Sequence, residues 1–237
     1  LFNEIQKIKK RDIRKIFQMI FTSTLPNVSK MIPGDKNKVT GKSGWQITKF
    51  WVPKIHTEKN VFESFELRFK KILNAKEEIM PLLSGSNYKI FTKSSENLNF
   101  IESNSIDYIF TDPPYGESVA YFGLSMFWNS WIFKDVDYEN EIIYDTFRKK
   151  DYKDYSDRLK NVFKECYRLL KVNKYLSFTF NNRKMIFWKI IIDACLDAGF
   201  SLTKVEWQEQ AVSSGTQGIN RKNTLKGDFI YTFLKDE

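Results

Sequence analysis

The residues with the clearest chemical purpose are Thr111-Asp112-Pro113-Pro114-Tyr115-Gly116. They follow an apolar run, residues 106–111, that reads as a strand buried in a sheet. The Asp112 carboxylate offers an acceptor for an N–H group. The Pro113 carbonyl offers a second, because Pro114 has no N–H with which a following turn could recruit it. Two acceptors on one amine localise a nitrogen lone pair that is otherwise delocalised into a ring, and so make that nitrogen a nucleophile. Tyr115 supplies a flat face on which a heterocycle stacks, worth about 1–3 kcal/mol. The paired prolines stiffen the strand end and favour a fixed approach geometry. Gly116 lets the backbone pass close to whatever binds. The same residues also suit a plain turn after a strand. The apolar strand before them and the aromatic segment after them favour a site.

For such a site to form, other elements must carry it. Residues 2–23 read as a basic amphipathic helix that Pro26 stops or bends, with Ile5, Ile8, Ile13, Ile16, Phe17 and Ile20 on one face. Residues 28–53 read as a loop with turn signals at Pro33-Gly34-Asp35 and Gly41-Lys42-Ser43-Gly44. A second helix is expected over residues 60–80, with Asn60 as its cap and Glu63 three residues on. Residues 88–92 and 106–111 then read as strands, and residues 122–133 as an aromatic helix packing on the sheet. A helix over 155–170, a strand over 174–180, a helix over 184–198 ending at Gly199, and strands over 202–209 and 228–234 complete the order. Alternating strands and helices imply an α/β fold with a mainly parallel sheet, and the last two strands, joined without a helix, imply an antiparallel edge pair. The expected division is a helical and loop segment over 1–87 and a catalytic part over 88–237. Ligands in such sheets bind beyond the carboxyl ends of the strands, where Asp112 stands. Asn181 and Asn182 end the next strand on the same edge, so topology places them beside a pocket there. An Asn pair after a strand also serves as a turn.

Composition excludes several classes. Of 237 residues, 42% are apolar and 28% charged, which suits a soluble globular chain with a real core. No apolar run approaches the ~20 residues of a membrane span. Leu1-Phe2-Asn3-Glu4 has no signal-peptide pattern. Cys166 and Cys195, the two cysteines, lie in helix-like patterns away from any Cys/His cluster, so neither a disulfide framework nor a zinc site is expected. The single histidine, His56, makes no metal site alone. Two reduced thiols and no leader give a cytoplasmic expectation. The formal net charge of +9 suits a polyanionic partner, although a lysine-rich solvated surface has the same composition.

Asp-Pro-Pro-Tyr is also a family mark. The chain resembles the bacterial DNA amino-methyltransferases, which methylate adenine N6 or cytosine N4 from S-adenosylmethionine. The resemblance is carried by Phe50-Trp51-Val52-Pro53, Glu58-Lys59-Asn60-Val61-Phe62, residues 112–132 and Gly227-Asp228-Phe229-Ile230. It implies a Rossmann-like methyltransferase sheet. It makes Asp112, Pro113, Pro114 and Tyr115 the amine-binding and base-stacking residues, with Asp112 and Tyr115 also meeting the sulfonium end of the cofactor. Ser94 and Ser95 would lie near the cofactor's adenine ring, and Arg221 and Lys222 would contact phosphates in a substrate-side loop. Asp at the first motif position leans toward adenine. One departure stands out. The family's Phe-x-Gly-x-Gly cofactor loop is absent, Ser84-Gly85-Ser86-Asn87 is not a substitute, and the usual order puts that loop before Leu1. The resemblance therefore implies a fragment, or one half of a split enzyme, with the cofactor-binding half and DNA as partners. An RNA base methyltransferase and a non-catalytic nucleic-acid-binding fragment remain the alternatives.

Overall fold

The computed structural model describes residues 1–34, 50–83, 85, 87–133, 135–209 and 227–236. The chain divides into two compact units. One comprises residues 1–90 and 121–136, the other residues 91–120 and 137–237.

The first unit is helical. Its elements are α1 (Phe2–Gln6), α2 (Arg11–Val28), α3 (Val61–Ile79) and α4 (Tyr121–Ile132). The single helix expected over 2–23 is thus two, separated at residues 7–10. α3 starts where the sequence indicated, and the Asn60 side chain accepts from the Phe62 and Glu63 amides at 2.9 and 3.2 Å. Pro26 lies inside the last turn of α2 and does not stop it. Its missing N–H would have bonded the carbonyl four residues back, that of Thr22. The Trp128 indole of α4 donates to that carbonyl instead, at 3.0 Å. The aromatic helix expected on the sheet therefore packs with the N-terminal helices. Phe127 and Trp128 join Ile5, Phe21 and Leu25, while Trp131 stands edge-on to Phe21 at 5.4 Å. An amphipathic period states that a helix buries a face, not which surface receives it.

The second unit is α/β. Four strands, β1 (Ile106–Thr111), β2 (Leu170–Phe180), β3 (Phe200–Glu209) and β4 (Gly227–Lys235), form one sheet in the order β1-β2-β4-β3. β1 runs parallel to β2, whereas β4 is antiparallel to both β2 and β3. The expected mainly parallel sheet is corrected by this pairing. β4 folds back to lie between β2 and β3, so one described ladder of three is parallel. Residues 88–92 form no strand. They pair with none of the four strands of the described sheet, although β1 stands at its edge, and Tyr88, Ile90 and Phe91 are exposed.

One face of the sheet is covered by α5 (Tyr152–Leu169) and α6 (Met185–Asp197). α5 is capped by Asp151, whose side chain accepts from the Asp154 amide at 2.8 Å. Leu159, Phe163 and Cys166 of α5 and Phe187, Ile191 and Cys195 of α6 meet Leu176, Phe178 and Phe180 of β2 and Phe233 of β4. Gly199 takes φ +103° at the α6 exit, a conformation open to glycine. Both cysteines are buried and unpaired, and burial pushes the Cys166 thiol up to about 12. Such thiols are inert at neutral pH.

Candidate active site

β1 ends at Thr111, and the backbone delivers Asp112 to the carboxyl edge of the sheet. The register places Thr111 opposite Phe178 on β2, so Thr179 is one step further along the neighbouring strand. Its hydroxyl donates to Asp112 Oδ1 at 2.9 Å and accepts from the Tyr115 hydroxyl at 3.3 Å. Asp112 is exposed, Pro113 and Gly116 are buried, and Pro114 and Tyr115 are half-buried. The motif is therefore a rigid turn with its carboxylate facing solvent.

The turn is held from below by side chains the sequence reading had not assigned to it. Tyr155, fully buried at the start of α5, donates its hydroxyl to the Pro114 carbonyl and accepts from the Gly116 amide at 3.2 Å. Burial pushes this phenol well above its ordinary range, so it stays protonated and able to donate. Gly116 takes φ +64°, and a Cβ there would lie 2.6 Å from the Phe187 ring. The Gly116 carbonyl accepts from the Tyr144 amide at 3.3 Å. The Tyr115 carbonyl accepts from the Ser118 amide at 3.2 Å and from the Asn182 side chain at 2.9 Å. The Tyr115 ring stands edge-on to Phe180, centroids 5.2 Å apart. Burial first, and then the hydrogen-bonding contact and charge of neighbouring Asp112, push the Tyr115 hydroxyl up against the opposing pull of Thr179, so it too remains a neutral phenol.

These bonds assign the acceptors. Pro114 is committed to Tyr155. Among the described residues nothing donates to the Pro113 carbonyl, and Thr179 is the side chain that donates to Asp112. No lysine or arginine pairs with Asp112 among the described residues. The edge thus presents an exposed carboxylate beside a half-buried aromatic ring, and the carbonyl of buried Pro113 has no donor among the described residues.

The structure brings Asp112, Pro113, Pro114, Tyr115 and Asn182 together. Asn182 also accepts the Lys184 amide at 2.8 Å through its side chain and the Trp188 indole at 2.7 Å through its carbonyl. Asn181 is buried and donates to the Gly227 carbonyl at 2.6 Å, joining β2 to the start of β4. Ser94 and Ser95 are exposed, and the Ser94 hydroxyl is bonded within its own turn to Glu96. Glu96 is in turn held by Arg158 of α5. Arg221 and Lys222 lie outside the described residues. No group of three or more His, Cys, Asp or Glu side chains among the described residues could hold a metal ion. No described helix is long and apolar enough to cross a membrane.

Thr179 and Tyr155 left traces in the sequence. Thr179 is the one hydroxyl between Phe178 and Phe180. Tyr155 lies four residues before Leu159 on the buried stripe of α5, an apolar position carrying a polar tip.

A DNA methylase family profile matches residues 106–237, from β1 to the end of the chain and more than half of its length. The chain belongs to this N6/N4 DNA methylase family, whose methyl donor is S-adenosylmethionine. Solved structures resemble it distantly. TTHA0409 of Thermus thermophilus, named as a candidate DNA modification methylase, aligns at 13% identity and a TM-score of 0.39, over 64% of this chain and 55% of that one. The same protein complexed with S-adenosyl-L-methionine aligns at 14% identity and 0.34, over 58% and 50%. A SAM-dependent methyltransferase of Methanosarcina mazei aligns at 10% and 0.37, over 65% and 70%. The chain spans about half the length of the Thermus structures. A comparison with curated protein sequences finds no match.

Proposed function

We propose that this chain carries the amine-activating site of a DNA methyltransferase, with adenine N6 as its favoured target and S-adenosylmethionine as donor. The supporting observation is the pair of uncommitted acceptors at the end of β1. Asp112 Oδ2 and the Pro113 carbonyl each receive one N–H of an exocyclic amine, while the Tyr115 ring carries the base. The target amine is paired inside a duplex, so the base must leave the stack to reach this edge. Asp rather than Ser at the first motif position supports adenine over cytosine.

The site suits the donor. Its sulfonium is a cation, and Asp112 is an exposed carboxylate with no cationic partner among the described residues, next to an aromatic face. Bound there, the donor supplies an electrophilic methyl group. Asp112 and Tyr115 hold its sulfonium end, and Ser94 and Ser95 are assigned to its far end. Two acceptors align the amine lone pair, and the stiff turn fixes its distance. Asn181 and Asn182 serve the base through the turn and strand end they fix. Arg221 and Lys222 are assigned to backbone phosphates. The helical unit and the segment around residues 41–53 are assigned to DNA, with a Rossmann-like cofactor half from the remainder of a longer enzyme as the second partner.

The test is tritium transfer from S-adenosylmethionine to unmethylated DNA by this chain, by the chain joined to its preceding coding segment, and by the Asp112→Ala form of each. Label in adenine that vanishes with Asp112→Ala is the expected result. Label in cytosine would reassign the base, and label in RNA alone would reassign the polymer. No label from any form would leave a binding module.

A further inference from the structure

The two oxygens of Asp112 have different standing, and a residue on the neighbouring strand makes them so. A hydroxyl carries one proton. Because Thr179 accepts from the Tyr115 phenol, its own proton is free to go to Asp112 Oδ1, and the chain of donation runs Tyr115 to Thr179 to Asp112. The Thr179 backbone is paired on the other side with Ile230 of β4, so the hydroxyl is anchored in the interior of the sheet rather than in a loop. Its β-branched side chain has few staggered choices on a strand. A carboxylate, by contrast, turns softly about its last bond. Without an anchored donor, the exposed Asp112 carboxylate has no fixed plane. The Tyr115 phenol, for which Asp112 is already a hydrogen-bonding neighbour as well as a nearby charge, would then turn from Thr179 to that carboxylate.

We propose that Thr179 is a positioning residue: it fixes the plane of the Asp112 carboxylate so that Oδ2 is the oxygen meeting the substrate N–H. By occupying the Tyr115 hydroxyl, it also leaves the ring face, and not the phenol, to meet the base. The proposal rests on the reading of Asp112 as acceptor for an exocyclic amine. It narrows the substrate to one that presents an N–H donor to Asp112 and a flat unsubstituted face to Tyr115. A base recognised through a carbonyl oxygen finds no donor in this trio, because both hydroxyl protons are already committed inside it.

The experiment compares the active form of the chain with Thr179→Val, which keeps the shape and loses the hydroxyl, and Thr179→Ser, which keeps the hydroxyl. Steady-state methyl transfer and the 13C resonance of the Asp112 carboxyl carbon are read for each. Thr179→Val should lower kcat about 10- to 100-fold, the worth of one hydrogen bond to a charged group, with KM for DNA and donor changed less than about twofold. Thr179→Ser should recover most of the loss. The Asp112 resonance should move in the Val variant and return in the Ser variant. A Val variant that turns over like wild type overturns the proposal and leaves the methyl-transfer reading standing. A loss shared equally by Ser and Val, or appearing in KM alone, also overturns it and assigns Thr179 to packing. A wild-type protein that transfers no methyl group removes the reading of the site, and the role of Thr179 with it.

Discussion

Gly116 is the position at which the turn can be broken with the smallest change. Gly116→Ala adds one methyl group. At φ +64° an alanine costs about 1–2 kcal/mol for the left-handed conformation. The new Cβ would also stand 2.6–2.7 Å from three atoms of the Phe187 ring. That ring cannot retreat, because it is fully buried with Tyr144, Tyr152 and Tyr155 at centroid distances of 5.7, 5.5 and 5.4 Å. Overpacking of this kind costs about 1–3 kcal/mol. The sum, about 2–5 kcal/mol, is a large share of the roughly 5–15 kcal/mol that holds a domain folded. The two terms are separable. Phe187→Leu makes room for the methyl group and leaves φ untouched. In a double-mutant cycle the coupling should therefore be favourable by at least about 1 kcal/mol, with about 1–2 kcal/mol of backbone strain left over. Urea unfolding followed through 5-fluorotryptophan at Trp188 reports on the sheet unit. A cost below about 1 kcal/mol for Gly116→Ala would refute the steric argument. So would a cycle with no coupling, which would mean that the ring yields.

Tyr155→Phe keeps the ring against Phe187 but leaves the Pro114 carbonyl and the Gly116 amide without their partner. It should cost about 1–3 kcal/mol and speed hydrogen exchange at the Gly116 amide, and unchanged exchange there would contradict the clamp. Lys235 is buried with its ammonium on the Asn104 side chain and the carbonyls of Tyr167 and Leu170 at 2.7, 2.7 and 2.8 Å. Lys235→Met should cost about 2–4 kcal/mol in chemical denaturation, because three acceptors lose one donor. Burial raises the Glu96 carboxyl pKa, but the bonds from Arg158 outweigh burial and hold it below its ordinary value. A carboxylate depressed on folding contributes stability that is full above its unfolded pKa, about 4.3, and fades as pH falls through the lower folded value. The gap in thermal midpoint between wild type and Glu96→Gln should therefore be widest above about pH 5 and narrow on acidification, whereas a constant gap would assign Glu96 a role independent of its charge.

The local signals in the sequence carried far. The strand entering Asp112, the Asn60 cap, the helix that became α5 and the Gly199 stop all rest on chemistry among near neighbours, and each is found where the spacing put it. β1, expected to be buried in the sheet, nevertheless has no buried residue and leaves Tyr108 and Phe110 exposed. What eluded the sequence depends on distant partners. Residues 88–92 have the pattern of a strand, but a pattern carries no information on whether a neighbouring strand pairs with it. The aromatic helix announces a buried face without naming its acceptor. The return of β4 between β2 and β3 is decided by which ladder closes, not by either strand's composition. The same holds at the site. Asp112 to Tyr115 was legible because its residue types are unusual together. Thr179 and Tyr155 are ordinary residues made significant by where the sheet and α5 place their hydroxyls. Asn182 drew attention as one of a pair near a pocket, yet its amide turned out to be bonded to the Tyr115 backbone.

The proline in α2 has a consequence for how this chain can be taken apart. Pro26 leaves the Thr22 carbonyl with no helical donor, and the group that answers it, the Trp128 indole, is encoded between β1 and β2. The helical unit is thus completed by residues translated only after the first strand of the other unit has been made. No single cut divides the protein into its two units. Cleavage between Ile90 and Phe91 would strip the first three helices of α4 and leave the sheet unit trailing a greasy, aromatic loop. Shuffling or truncation at that point should yield two insoluble halves, whereas exchanging residues 1–90 and 121–136 together should move the helical unit intact. The boundary is discontinuous along the gene, and the bond from Trp128 to the carbonyl that Pro26 leaves unanswered is one of the contacts that join the distant pieces of the helical unit.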